Sequence, residues 1–141
     1  MGKHAAFEAL KRQAIEENER AHGREARERY GDDAVDAANE RLASLSQDEW
    51  DEKDRLEQAI KELLRTAMAT GDPEGEPARE LARMHARWIA LHWGEGRYSR
   101  EAHRGLAQMY LADDRFRAYY DTAAGEGATG FLVAALEAYL A

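Results

Sequence analysis

Glycine and proline punctuate this chain at a few places, and between them run stretches dominated by Ala, Glu, Arg and Leu in which β-branched residues are scarce. Residues of that kind lose little conformational freedom in a helix, so the chain is read as all-helical, with no strands. The clearest start signal is Ser46-Gln47-Asp48-Glu49, a capping box in which the Ser hydroxyl accepts from the Glu49 amide and the Glu carboxylate reaches back to the Ser46 amide. A long helix therefore begins there, carries Leu56, Ile60, Leu63, Leu64 and Met68, and stops at Gly71, where a Gly- and Pro-rich loop to Pro77 follows.

The same signals divide the rest. A first helix runs from Ala5 to Ala21 with a narrow apolar stripe of Phe7, Leu10 and Ala14, and Gly23 interrupts it. A short second helix ends at Tyr30-Gly31, and Asp32 or Asp33 caps a third that carries Val35, Ala38 and Leu42. Beyond the loop a fifth helix runs from Pro77 to Trp93, Ser99 caps a sixth to Ala112, and Asp113 or Asp114 caps a seventh. A last helix carries Phe131, Leu132, Ala135, Leu136 and Tyr139. The expectation is a single all-α domain of about seven to eight helices.

At 141 residues the chain has the size of one domain. Lys and Arg number 20 against 28 Asp and Glu, a formal net charge of −8 that disfavours direct nucleic-acid binding. The acidity is local: residues 32–80 hold six Lys/Arg against fifteen Asp/Glu, whereas residues 81–141 balance seven against seven. Charge is therefore expected to contribute less to selectivity in the final third than stacking and hydrogen bonding. No cysteine is present, which excludes disulfides, thiolate metal sites and thiol nucleophiles. No stretch has the apolar core of a signal peptide or approaches the length of a membrane span, so a cytoplasmic protein without membrane association is expected.

Trp88, Trp93, Tyr98, Tyr110, Phe116, Tyr119 and Tyr120 fall within 33 positions, with His85, His92 and His103 among them. His85, Trp88 and His92 share one helix face, and His103, Leu106 and Tyr110 repeat that spacing on the next helix, with Met109 adjacent. Broad rings with polar tips suit both a hydrogen-bonded core and a concave ligand site. A shared metal does not fit: seven residues separate His85 from His92, roughly 10 Å at 1.5 Å per residue, against metal–ligand bonds of about 2 Å. Neither a phosphate-binding loop nor a nucleophile elbow occurs, and no acid–base pair stands out, so neither an enzyme nor a cofactor is expected.

The residues His85-x-x-Trp88-Ile89, His92-Trp93, His103-x-Gly105-Leu106-Ala107-Gln108-Met109-Tyr110, Asp113-Asp114-Arg115-Phe116 and Tyr119-Tyr120-Asp121 resemble the TipAS antibiotic-recognition domain. Upstream, Tyr30-Gly31-Asp32, Ser46 and Glu49-Trp50 are similar to the lead-in of the same family, so the likeness covers nearly the whole chain. The block from Leu106 to Tyr110 followed by Asp114-Arg115-Phe116 is its most specific part.

The resemblance implies a globin-like helical arrangement without haem and a deep cleft for a bulky aromatic or peptide-like antibiotic. Trp88, His92, Trp93, Tyr98, His103, Met109, Tyr110, Phe116, Tyr119 and Tyr120 become the candidate ligand-binding residues. Residues 1–31 are expected to form a helical segment able to act as a mobile lid, through Phe7, Leu10 and Ala14, over a core of residues 32–141. In the family this domain forms the C-terminal half of some MerR-type activators. A chain of 141 residues leaves no room beside it for a winged helix and coiled coil, so a stand-alone form is expected. The founding member traps thiopeptides through a cysteine, which this chain lacks, so non-covalent sequestration is expected here. A regulatory module that docks a partner protein is the alternative.

Overall fold

A computed structural model describes residues 2–94 and 96–141, and among them every regular element is helical. The helices are α1 (Lys3–Asn18), α2 (Arg24–Tyr30), α3 (Asp32–Ser44), α4 (Gln47–Thr70), α5 (Glu76–Trp93), α6 (Arg100–Ala112), α7 (Asp114–Ala124) and α8 (Ala128–Leu140). A π-helical turn, Glu19–Gly23, joins α1 to α2. The all-α reading holds.

The caps explain most boundaries. At α4 the Ser46 Oγ accepts from the Glu49 amide at 3.2 Å and Glu49 Oε1 accepts from the Ser46 amide at 2.9 Å, which completes the capping box. Gly71 closes α4 in the left-handed conformation (φ 71°) that a residue with a Cβ adopts only at a cost. Ser99 Oγ caps α6 through the Ala102 amide at 3.0 Å, and Asp113 Oδ1 caps α7 through the Arg115 amide at 3.0 Å.

Two local expectations are corrected. Gly23 does not interrupt the first helix: its backbone is helical (φ −58°, ψ −44°), and the axis continues through the π turn into α2. The glycine instead sits against the carboxylate of Glu19, which a Cβ would displace and whose Oε1 accepts from Arg27 Nε at 2.6 Å. Asp32 and Asp33 do not cap α3, because Gly31 occupies the cap and both acids lie in the first turn, where their charge complements the positive end of the helix dipole.

Helix α8 is apolar nearly all round, as a central helix must be, and packs against α4, α5, α6 and α7. Leu132 and Leu136 on it, with Leu64 and Leu81, are fully buried at the heart of the main core. A second, smaller cluster joins Phe7, Leu45 and Trp50. Helices α2 and α3 bury no whole residue.

Polar contacts hold this N-terminal arm instead. The buried Lys11 Nζ donates to the carbonyls of Ala43 and Leu45, both at 2.7 Å, and so satisfies the open end of α3. Tyr30 OH donates to Asp113 Oδ2 at 2.6 Å, and Arg29 meets the other oxygen of that carboxylate at 3.0 Å. Arg41 Nε donates to the Leu91 carbonyl at 2.9 Å.

Candidate functional site

The expected aromatic faces of α5 and α6 meet and divide between two tasks. Inward, His85 and His103 are fully buried, with rings stacked at 5.0 Å between centroids and 13° between planes. Hydrogen bonds link Tyr98 OH to His103 Nδ1 (2.9 Å), His103 Nε2 to His85 Nδ1 (2.8 Å), and His85 Nε2 to Tyr110 OH (3.1 Å) and Tyr120 OH (3.3 Å). No buried side-chain nitrogen or oxygen lacks a partner among the described residues, so the network stabilises the interior where an unpaired polar group would cost about 1–3 kcal/mol.

This environment keeps the rings neutral. Burial, and then the positive charge that His103 or His92 would carry, pull the His85 ring well below the usual histidine range. Burial lowers His103 to about 4. Burial pushes the Tyr110 and Tyr120 hydroxyls up.

Outward, α5 turns Trp88, Ile89, His92 and Trp93 toward a cleft of about 820 Å³. Leu106 and Tyr110 from α6 and Phe116 from α7 complete this aromatic side. The opposite wall is α3, with Ala34, Ala37, Ala38, Glu40, Arg41, Leu42 and Ser44, and the turn after α5 adds Gly94, Gly96 and Arg97. The rings are already arranged: Trp88 and His92 lie 4.4 Å apart, and Tyr110 and Phe116 4.8 Å apart. His92 Nδ1 donates to the Trp88 carbonyl at 2.8 Å; burial lowers its pKa, and that hydrogen bond raises it by less. Trp88 Nε1 donates to Glu57 at 3.3 Å, which fixes the indole edge.

Of the ten residues anticipated for ligand contact, Trp88, His92, Trp93, Tyr110 and Phe116 line this cleft. Tyr98 and His103 lie in the interior network behind Trp93, whose ring is 6.0 Å from that of Tyr98 and 6.5 Å from that of His103. Tyr119 and Tyr120 meet Trp88 on its other side, in a shallow hollow with Glu57, Ile60 and Lys61. Met109 is half-buried on α6, away from the cleft wall.

The anticipated lid residues lie elsewhere: Phe7 packs edge-on against Trp50 at 6.4 Å, Ala14 packs against the same cluster, and Leu10 is 53% exposed. Helix α1 lies along α3 and adds no residue to the cleft wall. The α3 wall itself was not foreseen. Its signal was the spacing Ala34, Ala38, Leu42, a stripe of mostly small residues too weak to suggest a binding face.

Among the described residues no group of three His, Asp or Glu side chains is placed to hold a metal, and no helix is long and apolar enough to cross a membrane. The chain is 34% identical over 104 residues to the HTH-type transcriptional activator TipA of Streptomyces coelicolor, and equally to that of Streptomyces lividans. Each match covers 70% of this chain but 39% of the relative, so the chain spans about two-fifths of the curated proteins it matches. No solved structure matches. Residues 22–139, from the end of the π turn almost to the end of α8, match the family model of the TipAS antibiotic-recognition domain, and with the matching block lying on the cleft-forming helices, this chain belongs to that family.

Proposed function

We propose that this chain binds a bulky aromatic or peptide-like antibiotic reversibly in the cleft between α3 and the aromatic side of α5, α6 and α7, and so sequesters it. The observation that carries the reading is the cleft itself: about 820 Å³, walled by Trp88, His92, Trp93, Tyr110 and Phe116, in a member of an antibiotic-recognition family. That volume lies within the roughly 300–1,000 Å³ of small-molecule sites, and the mixture of apolar rings with few polar groups is typical of them. Stacking on the half-buried indole rings of Trp88 and Trp93 favours planar ligands without demanding one scaffold.

Reversibility follows from the wall chemistry. The chain has no cysteine and the cleft lining has no lysine, so the nucleophiles best suited to trapping an electrophilic antibiotic are missing. Residues 1–31 serve, on this reading, as a lid support: α1 backs α3 and sets how firmly the small-residue wall is held.

The test is a titration of the intact chain with thiopeptide and other aromatic peptide antibiotics, followed by Trp fluorescence and melting temperature. A binding member of the panel quenches fluorescence, raises the melting temperature, and is recovered on dialysis with unchanged mass. Absence of quenching and of a thermal shift across the panel removes the reading, and a changed ligand mass replaces sequestration with an enzymatic role.

A further inference from the structure

Residues 81–141 are formally neutral, yet the cleft they help to form is not uncharged. Among the described residues its charged wall residues are Glu40 and Arg41 from α3 and Arg97 from the turn after α5. Both arginines are placed relative to Gly94, Arg41 by its side chain and Arg97 by its backbone. The Arg41 guanidinium carbon lies 3.8 Å from where a Cβ on Gly94 would stand, and the Gly94 carbonyl accepts from the Arg97 and Tyr98 amides at 3.1 and 3.2 Å, forming the turn that carries Arg97.

The arginines differ in what else they do. Arg41 is tied through Nε to the Leu91 carbonyl, and the carboxylate of Glu49 lies 3.8 Å from its Nη2. Arg97 is exposed, and its side chain has no hydrogen-bond or ion-pair partner among the described residues. Glu40, the carboxylate on the α3 wall, also lines the groove between α1 and α3 together with Lys11 and Arg12. His92 contributes no charge at neutral pH, because burial favours its neutral ring.

We infer that the mouth of the cleft beside Gly94 selects ligands that carry an oxyanion at one end of an aromatic body, with Arg97 as the selecting residue and Arg41 as a fixed cation beside it. The inference rests on the cleft being the ligand site proposed above and names its ligand class: an aromatic acid. Physically, the indole and phenol walls offer little to an anion, whereas a guanidinium offers paired N–H donors matched to a carboxylate or sulfonate. An exposed arginine with no partner among the described residues can meet such a group without breaking a bond to any of them.

Two fluorescent probes of nearly the same aromatic body isolate the charge: 8-anilinonaphthalene-1-sulfonate, and N-phenyl-1-naphthylamine, which lacks the sulfonate. The intact chain is titrated with each at pH 7, alongside R97Q, R104Q and W93A, with melting curves to confirm that all are folded. In R97Q the affinity for the sulfonate falls about threefold to tenfold while the amine changes less than twofold, the range expected for losing one partly solvated charged contact. R104Q, the same change of net charge at an exposed position outside the cleft, leaves both affinities alone. W93A weakens both probes together. An unchanged ratio of the two affinities in R97Q, or an equal change in R104Q, overturns the selection of an acid and leaves the cleft reading in place. If W93A leaves both probes bound as before, the cleft is not where they bind, and both readings fall.

Discussion

The region from α4 to α8 and the region from α1 to α3 are both helical, but they cohere by different means. In the first, α8 is wrapped by four neighbours and fully buried leucines fill the interior. In the second, α2 and α3 bury no whole residue, and what fastens them is directional: Lys11 on the end of α3, Tyr30 and Arg29 on Asp113, and Arg27 shared among Glu19, Asp32 and Asp36. Apolar burial is little affected by salt, whereas the exposed members of the second set, the pairs of Arg27 with Asp32 and Asp36, are screened by it. The cleft lies on the seam, with one wall from each region. The cleft therefore has a firm aromatic side and an alanine-rich side whose attachment is polar.

Leu132→Ala is expected to have the largest effect, about 2–5 kcal/mol, because it opens a cavity at the centre of the main core. Phe7→Ala, read by hydrogen exchange, should release amides of α1 while those of α8 stay protected. If both variants expose α8 to the same degree, the two regions unfold as one and the comparison fails.

Next, His85→Ala is expected to destabilise the α4–α8 region by about 2–4 kcal/mol in urea unfolding, since it opens a buried hole, leaves His103 Nε2 without its partner and leaves Tyr110 and Tyr120 only their bond to each other. A loss below about 1 kcal/mol would mean that water replaces the ring.

Acid should act on the same interior. Below pH 6.5 the unfolded chain protonates His103, while the folded chain resists until about pH 4. The stabilisation is therefore complete above 6.5 and declines from there toward 4. Urea midpoints at pH 7.5, 6 and 5 should fall in that order, and His103→Gln should flatten the trend.

Asp113→Asn tests the arm. Asparagine keeps the cap on α7 but removes the charge that Arg29 and Arg115 share and weakens the acceptor for Tyr30. Burial works against ionisation of this carboxyl, and the bonds from Tyr30 and Arg115 outweigh it and hold its pKa well below the usual range. A loss of about 1–3 kcal/mol is expected, with faster exchange confined to α2 and its neighbours. Uniformly faster exchange would show that the clasp belongs to the whole molecule. Ser46→Ala, which removes one half of the capping box at the junction of the regions, should cost least, about 1 kcal/mol by thermal denaturation.

What could be read in the sequence was what is encoded locally. The box at Ser46, the caps at Ser99 and Asp113, and the stop at Gly71 each depend on residues a few positions apart, and they placed the helices of the α4–α8 region. Helical spacing also brought His85, Trp88 and His92 to one face. It was silent on which of them turns inward, because that depends on α6 and α7 packing against α5. Gly23 was misread because its backbone is helical and it lies beside the Glu19 carboxylate, and a glycine inside a helix has the same letter as one that breaks it. The α3 wall escaped notice because alanines announce neither core nor site.

The chain of bonds through the two buried histidines has one more consequence. A neutral imidazole has one nitrogen that gives a proton and one that receives, so the links Tyr98–His103–His85–Tyr110 can be ordered in only two ways. If the Tyr98 hydroxyl gives, each ring passes the direction on and Tyr110 receives; if Tyr110 gives, every link runs the other way. No link reverses alone while all remain satisfied. Tyr110 stands in the cleft wall, and Tyr98 follows the turn that carries Arg97. Tyr120 OH lies 3.3 Å from the same His85 nitrogen and 3.4 Å from Tyr110 OH, so either tyrosine can end the chain; whichever does, reversing it is a collective switch of tautomers, legible in the ring nitrogen shifts of His85 and His103 although neither histidine touches the cleft.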